Sequence, residues 1–269
     1  MKQQKILRLV ESGLMLAAAT ALSMVKLLDL PYGGSITACS ALPILLVGYR
    51  HGMPWGLLTA FAHSLLQLVL GASTLSYATS AAAVVAIVVL DYLLAFTVLG
   101  LGGVFRKRVP NQGTALVLGA LLTGTARYVL HVIAGCTVWA GLSIPTEAAL
   151  VYSLAYNATY MAPEVAVTAL GAWYLSRAVN LQGDTLSRAP QAQAQSRPAV
   201  VAGLCANAAL LAAAVWDVVE IARPLQDPET GDLVITNLSL VNWPLVGIVT
   251  AVGAVLWLAL TCVRKYLNK

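Results

Sequence analysis

The chain has 269 residues, of which 59% are hydrophobic and 10% charged, and its mean hydropathy is +0.80. Soluble domains carry about 25% charged residues, so these values exclude an ordinary soluble enzyme and point to a membrane protein. The net charge of +5 does not indicate nucleic-acid binding, because the basic residues are scattered over short loops and form no stripe interleaved with aromatics.

A membrane helix needs about 20 apolar residues. On that criterion the chain predicts eight spans, at about 6–28, 36–49, 53–71, 81–104, 113–136, 148–177, 199–222 and 243–264. The start, with Lys2, Lys5 and Arg8 ahead of an apolar run, has the outline of a signal peptide. No convincing cleavage site precedes Lys26 and Asp29, however, so it reads as a first membrane helix. The second segment is short and holds Pro43, and irregular backbone at membrane depth lines a cavity or is buried in protein. Between 180 and 198 the chain turns polar, with the run Pro190-Gln-Ala-Gln-Ala-Gln-Ser-Arg-Pro198 reading as a flexible linker. The loop at 223–242, with Asp227, Glu229 and Asp232 among Pro224, Pro228 and Gly231, is expected to face outward. Cys39, Cys136, Cys205 and Cys262 are widely separated within apolar runs and read as small core residues, without a disulfide or zinc pattern.

An even number of spans places both termini on one side. With that side cytoplasmic, Lys2, Lys5, Arg8, Arg50, Arg106, Lys107, Arg108, Arg177, Arg188, Arg197, Arg264, Lys265 and Lys269 all fall inside, and Arg223 alone falls in an outer loop. The expected organisation is an all-α integral membrane protein. Residues 1–179 form a six-helix substrate-binding domain, 180–198 a cytoplasmic linker and 199–269 a two-helix hairpin.

Ionisable groups within spans carry the functional information, since one at a helix centre costs about 2.5–3.5 kcal/mol even on the gentler insertion scale. Asp91 lies midway along the fourth segment. It is either paired with a neighbouring Arg or His or serves as counter-charge to a cationic ligand or proton. Arg127 and His131, four residues apart, share a face of the fifth. Tyr92, Trp139, Tyr152 and Asn157 lie near these positions, and such a set fits a cage for a flat aromatic cation. Aromatics placed this way also fit an interfacial belt. His63 with Gln67, and Glu164 after Pro163, read as packing or interhelical hydrogen bonding. Gly100-Leu-Gly-Gly103 lacks the preceding strand of a dinucleotide fingerprint, and no G-x-x-x-x-G-K-[ST] loop is present.

Four stretches taken together resemble the ThiT family, the thiamine-specific substrate-binding (S) component of energy-coupling factor (ECF) transporters. They are Gly33-Gly-Ser-Ile-Thr with Leu42-Pro-Ile-Leu-Leu, Asp91-Tyr92, Arg127-Tyr-Val-Leu-His131-Val-Ile-Ala-Gly135 with Trp139, and Tyr152-Ser-Leu-Ala-Tyr-Asn157. The resemblance spans about residues 5–178. It implies a non-catalytic six-helix protein in a prokaryotic plasma membrane that binds thiamine or a related molecule near the outer face. It also implies docking on an ECF transmembrane coupling subunit driven by two ATPase subunits, with no cofactor or metal. Carried over, the ligand-binding residues are Asp91, Tyr92, His131, Trp139, Tyr152 and Asn157. The Ala-x-x-x-Ala docking surface of the family's first helix corresponds to Gly13 and Ala17, with Ala21 one step on.

Two departures bear on the ligand. The family's acid is typically Glu, and Asp91 sets its oxygens back by about 1.5 Å on ordinary bond lengths. A Trp that some relatives carry in the first outer loop is replaced by Tyr32-Gly-Gly-Ser, where Tyr32 partly substitutes. Arg127 is expected to brace Asp91 or approach the ligand. The residues also admit an S component for another cationic or heteroaromatic vitamin or precursor, a proton-coupled secondary transporter and, with less support, a membrane enzyme.

Overall fold

The structure is a computed structural model that describes residues 2–141, 146–183, 185–189, 196–225 and 234–267. It divides into two compact units, Met1–Ala189 and Pro190–Lys269. Both are overwhelmingly helical.

In the first unit, α1 (Lys2–Met24) leads into a β-hairpin of β1 (Lys26–Asp29) and β2 (Ser35–Thr37). The first predicted span therefore ends four residues early and the second begins late. Lys26 and Asp29 pair at 2.9 Å in β1, and Tyr32 and Gly33 turn the chain at φ 65° and 94°. The positive φ is routine for glycine and uncommon for a tyrosine. α2 (Leu42–His51) has Pro43 in its first turn, where the missing N–H costs no hydrogen bond. Its ten residues are too few to cross a bilayer. Gly52, at φ 89°, turns the chain directly into α3 (Met53–Leu70).

α4 (Ala81–Gly103) is one helical run of changing pitch, with a π-helical stretch over Ala86–Leu94 and a 3₁₀ stretch over Val98–Gly103. The Gly100-Leu-Gly-Gly103 run serves packing. A Cβ on Gly100 would lie 2.4 Å from the Leu57 nitrogen, and one on Gly48 2.3 Å from the Gly100 carbonyl, so α2, α3 and α4 touch through bare backbone. α5 (Gln112–Gly141) and α6 (Thr146–Ala178) are the long helices, at 30 and 33 residues. With about 1.5 Å of rise per residue both exceed the roughly 30 Å hydrocarbon thickness. Leu45, Tyr49, Leu116 and Ala172 form a fully buried cluster joining α2, α5 and α6.

Within the expected polar linker, β3 (Val179–Asn180) pairs with β4 (Ser187–Arg188), while residues 184 and 190–195 lie outside the described residues. In the second unit α7 (Arg197–Leu225) and α8 (Trp243–Leu267) form a hairpin. Polar contacts tie it together, Trp257 Nε1 donating to Asn207 at 3.1 Å and Thr250 to Asp217 at 2.6 Å. Cys205 and Cys262 are exposed on these helices, contrary to their reading as core residues, because a bilayer accepts an apolar side chain on the outside. Residues 226–233, with Asp227, Glu229 and Asp232, lie outside the described residues.

Among the described residues, six helices have the length and composition to cross a membrane: Gln4–Met24, Met53–Leu70, Ala81–Gly103, Gln112–Val138, Arg197–Leu225 and Trp243–Leu267. Of the eight predicted spans, α2 is absent from this set because it is short. α6 is long enough but carries Asn157, Pro163 and Glu164 on its way through.

Candidate functional site

The first unit holds a cavity of about 470 Å³, within the range of small-molecule sites. The end of α1, the β1–β2 hairpin, the end of α3 with the 3₁₀ turns Ala72–Tyr77, and α4, α5 and α6 all contribute to its wall. Asp91 lies in the π-helical stretch of α4, and local π geometry is concentrated at functional sites. Its carboxylate is 28% exposed and accepts from or pairs with His131, whose Nδ1 lies 2.7 Å from Oδ1. The other ring nitrogen, Nε2, is buried without a hydrogen-bond partner. With Nδ1 committed to the acid, Nε2 is an acceptor in the neutral ring and a donor in the charged one.

Aromatic rings enclose this pair. His131 meets Tyr160 edge-on at 6.1 Å, Tyr160 meets Tyr156 at 5.6 Å, and Tyr32 reaches from the hairpin to Tyr77 at 5.2 Å and Tyr156 at 6.4 Å. Tyr92 lines the cavity and stacks on Phe96 at 6.1 Å. Its hydroxyl donates to the Gly71 carbonyl at 3.0 Å and lies 3.0 Å from Thr74 Oγ1, so that its polar end ties α4 to the 3₁₀ turns.

The other predicted site residues divide. Asn157 lines the cavity, but its amide is engaged within α6, Nδ2 donating to the Ser153 carbonyl at 2.8 Å and Oδ1 accepting from Tyr160 at 2.6 Å. Tyr152 is not in the wall and stacks behind Tyr156 at 6.3 Å. Trp139 falls near the end of α5, and its side chain lies outside the described residues. Tyr32 stands at the cavity as expected. Arg127 lines it too but does not brace Asp91: the acid is held by His131, and the guanidinium lies over the Phe96 ring at 4.5 Å.

Sequence reasoning missed Tyr77, Phe96 and Tyr160 and assigned no site role to Tyr156, Gln67 or Glu164. Gln67 lines the cavity and donates to Ser23 at 2.9 Å, while its expected neighbour His63 is fully buried against Phe96. Glu164 joins α6 to the hairpin, accepting from the Thr37 amide at 2.7 Å. A signal for three of these was present, because Tyr152, Tyr156, Tyr160 and Glu164 recur every fourth residue and so fall along one face of a helix.

The hairpin is seated by close backbone approach. The Gly34 amide donates to the Tyr156 hydroxyl at 2.9 Å, and a Cβ there would lie 2.6 Å from that oxygen and 2.8 Å from the Tyr160 ring. Gly34→Ala is therefore expected to lift the hairpin and destabilise the protein by about 1–3 kcal/mol. Thermal unfolding in detergent reads this as a lowered Tm, and an unchanged Tm would show that the hairpin is not held here.

A family model described as thiamine transporter protein (Thia_YuaJ) matches residues 9–181. The chain is 31% identical over 180 residues to the thiamine transporter ThiT of Bacillus subtilis (strain 168), an alignment covering 63% of this chain and 90% of that protein. The solved structure of ThiT from Listeria monocytogenes superposes with a TM-score of 0.51 at 23% identity, covering 64% of this chain and 94% of that one. At that identity the likeness bears on the fold. The family match ends at residue 181, ahead of α7 and α8.

Proposed function

The chain belongs to the thiamine transporter (Thia_YuaJ) family and is a multi-pass membrane transport protein rather than an enzyme, and from this premise we propose that its cavity binds thiamine for an ATP-driven uptake system. The observation that carries the reading is the Asp91–His131 pair, 2.7 Å apart in the wall of an aromatic cavity. Thiamine offers a thiazolium cation, an aminopyrimidine and a hydroxyethyl arm. Asp91 supplies the counter-charge, and Tyr92, Tyr156 and Tyr160 supply faces and edges for the rings, where a desolvated cation–aromatic contact contributes about 2 kcal/mol. His131 Nε2, buried without a hydrogen-bond partner, is available for a directional bond. Asn157 holds Tyr160 in place, and Tyr152 supports Tyr156 from behind; Trp139, carried over from the family resemblance, is the remaining aromatic in this reading.

Energy comes from partners in this proposal: an ECF transmembrane coupling subunit carrying two ATPase subunits. Gly13, Ala17 and Ala21 are exposed along α1, and a Cβ on Gly13 would meet nothing within 4 Å, whereas Ser12 and Ala19 are buried against the rest of the unit. Small residues at this interval let a partner helix approach closely. Both termini are cytoplasmic in this arrangement.

Ala17→Trp is expected to leave thiamine binding by the purified protein within about twofold of wild type, as for an exposed position remote from the cavity. It should abolish co-purification with the coupling subunit and ATP-dependent uptake into proteoliposomes. Uptake that persists without ATPase subunits and collapses with the proton gradient would replace this reading by a proton-coupled secondary transporter.

A further inference from the structure

Besides Asp91, the cavity meets two buried charges of opposite sign, Arg127 on α5 and Glu164 on α6, at 7% and 4% exposure. Both line the main cavity, and both also line a second cavity of about 10 Å³, roughly the room of one water molecule. Glu164 Oε2 accepts from the Thr37 amide at 2.7 Å, and Oε1 accepts from the Thr37 hydroxyl at 2.7 Å and the Ser40 hydroxyl at 3.5 Å. With the carboxyl ionised, every one of these contacts is a donation to it. Arg127 lies over Phe96, and its Nε is buried with no hydrogen-bond partner, as is Thr168 Oγ1 in the same small cavity.

A buried guanidinium beside a site for a cation is doubly unfavourable. Its charge is desolvated, and it repels the ligand across a medium that screens far less than water. Glu164 stands where it offsets that charge. Resting on the thiamine reading, we propose that Glu164 is a positioning residue that makes the site selective for a cation: it neutralises Arg127 across the small cavity, leaves Asp91 as the net charge seen by the ligand, and holds the outer hairpin through Thr37 and Ser40. Thiamine and the hairpin in the cavity wall are then coupled through a single carboxylate that need not touch the vitamin.

The test uses the purified full-length chain with two ligands, thiamine and its neutral isostere in which carbon replaces the thiazolium nitrogen. Glu164→Gln keeps the size and an oxygen to accept from the Thr37 amide but removes the charge. It is expected to weaken thiamine about tenfold and the isostere by less than about twofold, the scale of one uncompensated charge at an effective dielectric near 20. The double variant Glu164→Gln with Arg127→Gln is expected to bring the preference for thiamine over the isostere back to within about threefold of wild type, since both charges are then gone. Arg127→Gln alone provides an arm that does not depend on Glu164→Gln folding, and it should shift the preference toward thiamine. Equal losses for both ligands, no loss for either, or no recovery in the double variant would overturn the proposal while leaving thiamine binding by the wild type intact. A wild-type protein that binds neither compound would overturn the thiamine reading, and this proposal with it.

Discussion

Replacing Asp91 by Asn is expected to weaken thiamine binding by about two to three orders of magnitude. Unit charges about 4 Å apart interact by about 4 kcal/mol at an effective dielectric of 20, and each 1.4 kcal/mol is a factor of ten. The 28% exposure of the carboxylate lowers the full value somewhat. Asn keeps the shape and can still meet His131, so the ligand-free protein should unfold within a few degrees of wild type. Calorimetric titration beside a thermal melt separates the two effects. Asp91→Glu is the companion, because it restores the charge and advances it by a methylene. Binding retained in Glu and lost in Asn assigns the effect to charge, whereas equal affinity in all three would remove the counter-charge role.

Glu11→Ala is expected to destabilise the first unit by about 3–5 kcal/mol, the usual consequence of leaving one partner of a buried ion pair behind. Arg50 reaches Glu11 with two parallel bonds, Nε to Oε2 and Nη2 to Oε1, each 2.9 Å, and His51 Nε2 lies 2.8 Å from Oε2. The Arg50 and Glu11 side chains are 4% and 13% exposed. The same arginine donates through Nη1 to the Leu181 carbonyl at 3.2 Å, and Arg106 caps the Tyr49 carbonyl at 2.9 Å and the Gln182 carbonyl at 3.1 Å. One knot thus ties α1 to the end of α2 and to the strand segment after α6. Losing the acid leaves a desolvated guanidinium at its centre. The measurable result is a large drop in Tm, while Glu11→Leu combined with Arg50→Met should recover much of the loss because an apolar pair carries no desolvation cost. A Glu11→Ala variant as stable as wild type would show that the pair is dispensable.

Much of this architecture is legible in the sequence, for identifiable reasons. Long apolar runs mark α1, α3, α4, α5, α7 and α8, because a bilayer leaves few alternatives for satisfying backbone groups. Asp91 and His131 stand out because ionisable residues in spans are expensive. Their partnership across 40 residues is a tertiary fact, and spacing along the chain pointed equally to Arg127. The β1–β2 hairpin is hidden by Leu27, Leu28, Leu30 and Ile36, which extend the apolar signal beyond both neighbouring helices. Glu164 is similarly obscured: its identity as a hydrogen-bonding group can be read from the chain, but its partners, Thr37 and Ser40, lie more than 120 residues away. Tyr160 escapes a reading that stops at Tyr152-Ser-Leu-Ala-Tyr-Asn157, although the four-residue stripe continues through it. The family match ends at residue 181, before α7 and α8.

The most direct test of the central claim is a calorimetric titration of thiamine into the purified, ligand-free chain, without ATPase subunits and without a proton gradient. A thiamine-binding subunit should saturate at one molecule per chain with a Kd in the nanomolar to low micromolar range, about −8 to −12 kcal/mol, and Asp91→Asn should remove most of that affinity. A folded wild-type protein that shows no saturable binding would contradict the assignment of this cavity to thiamine.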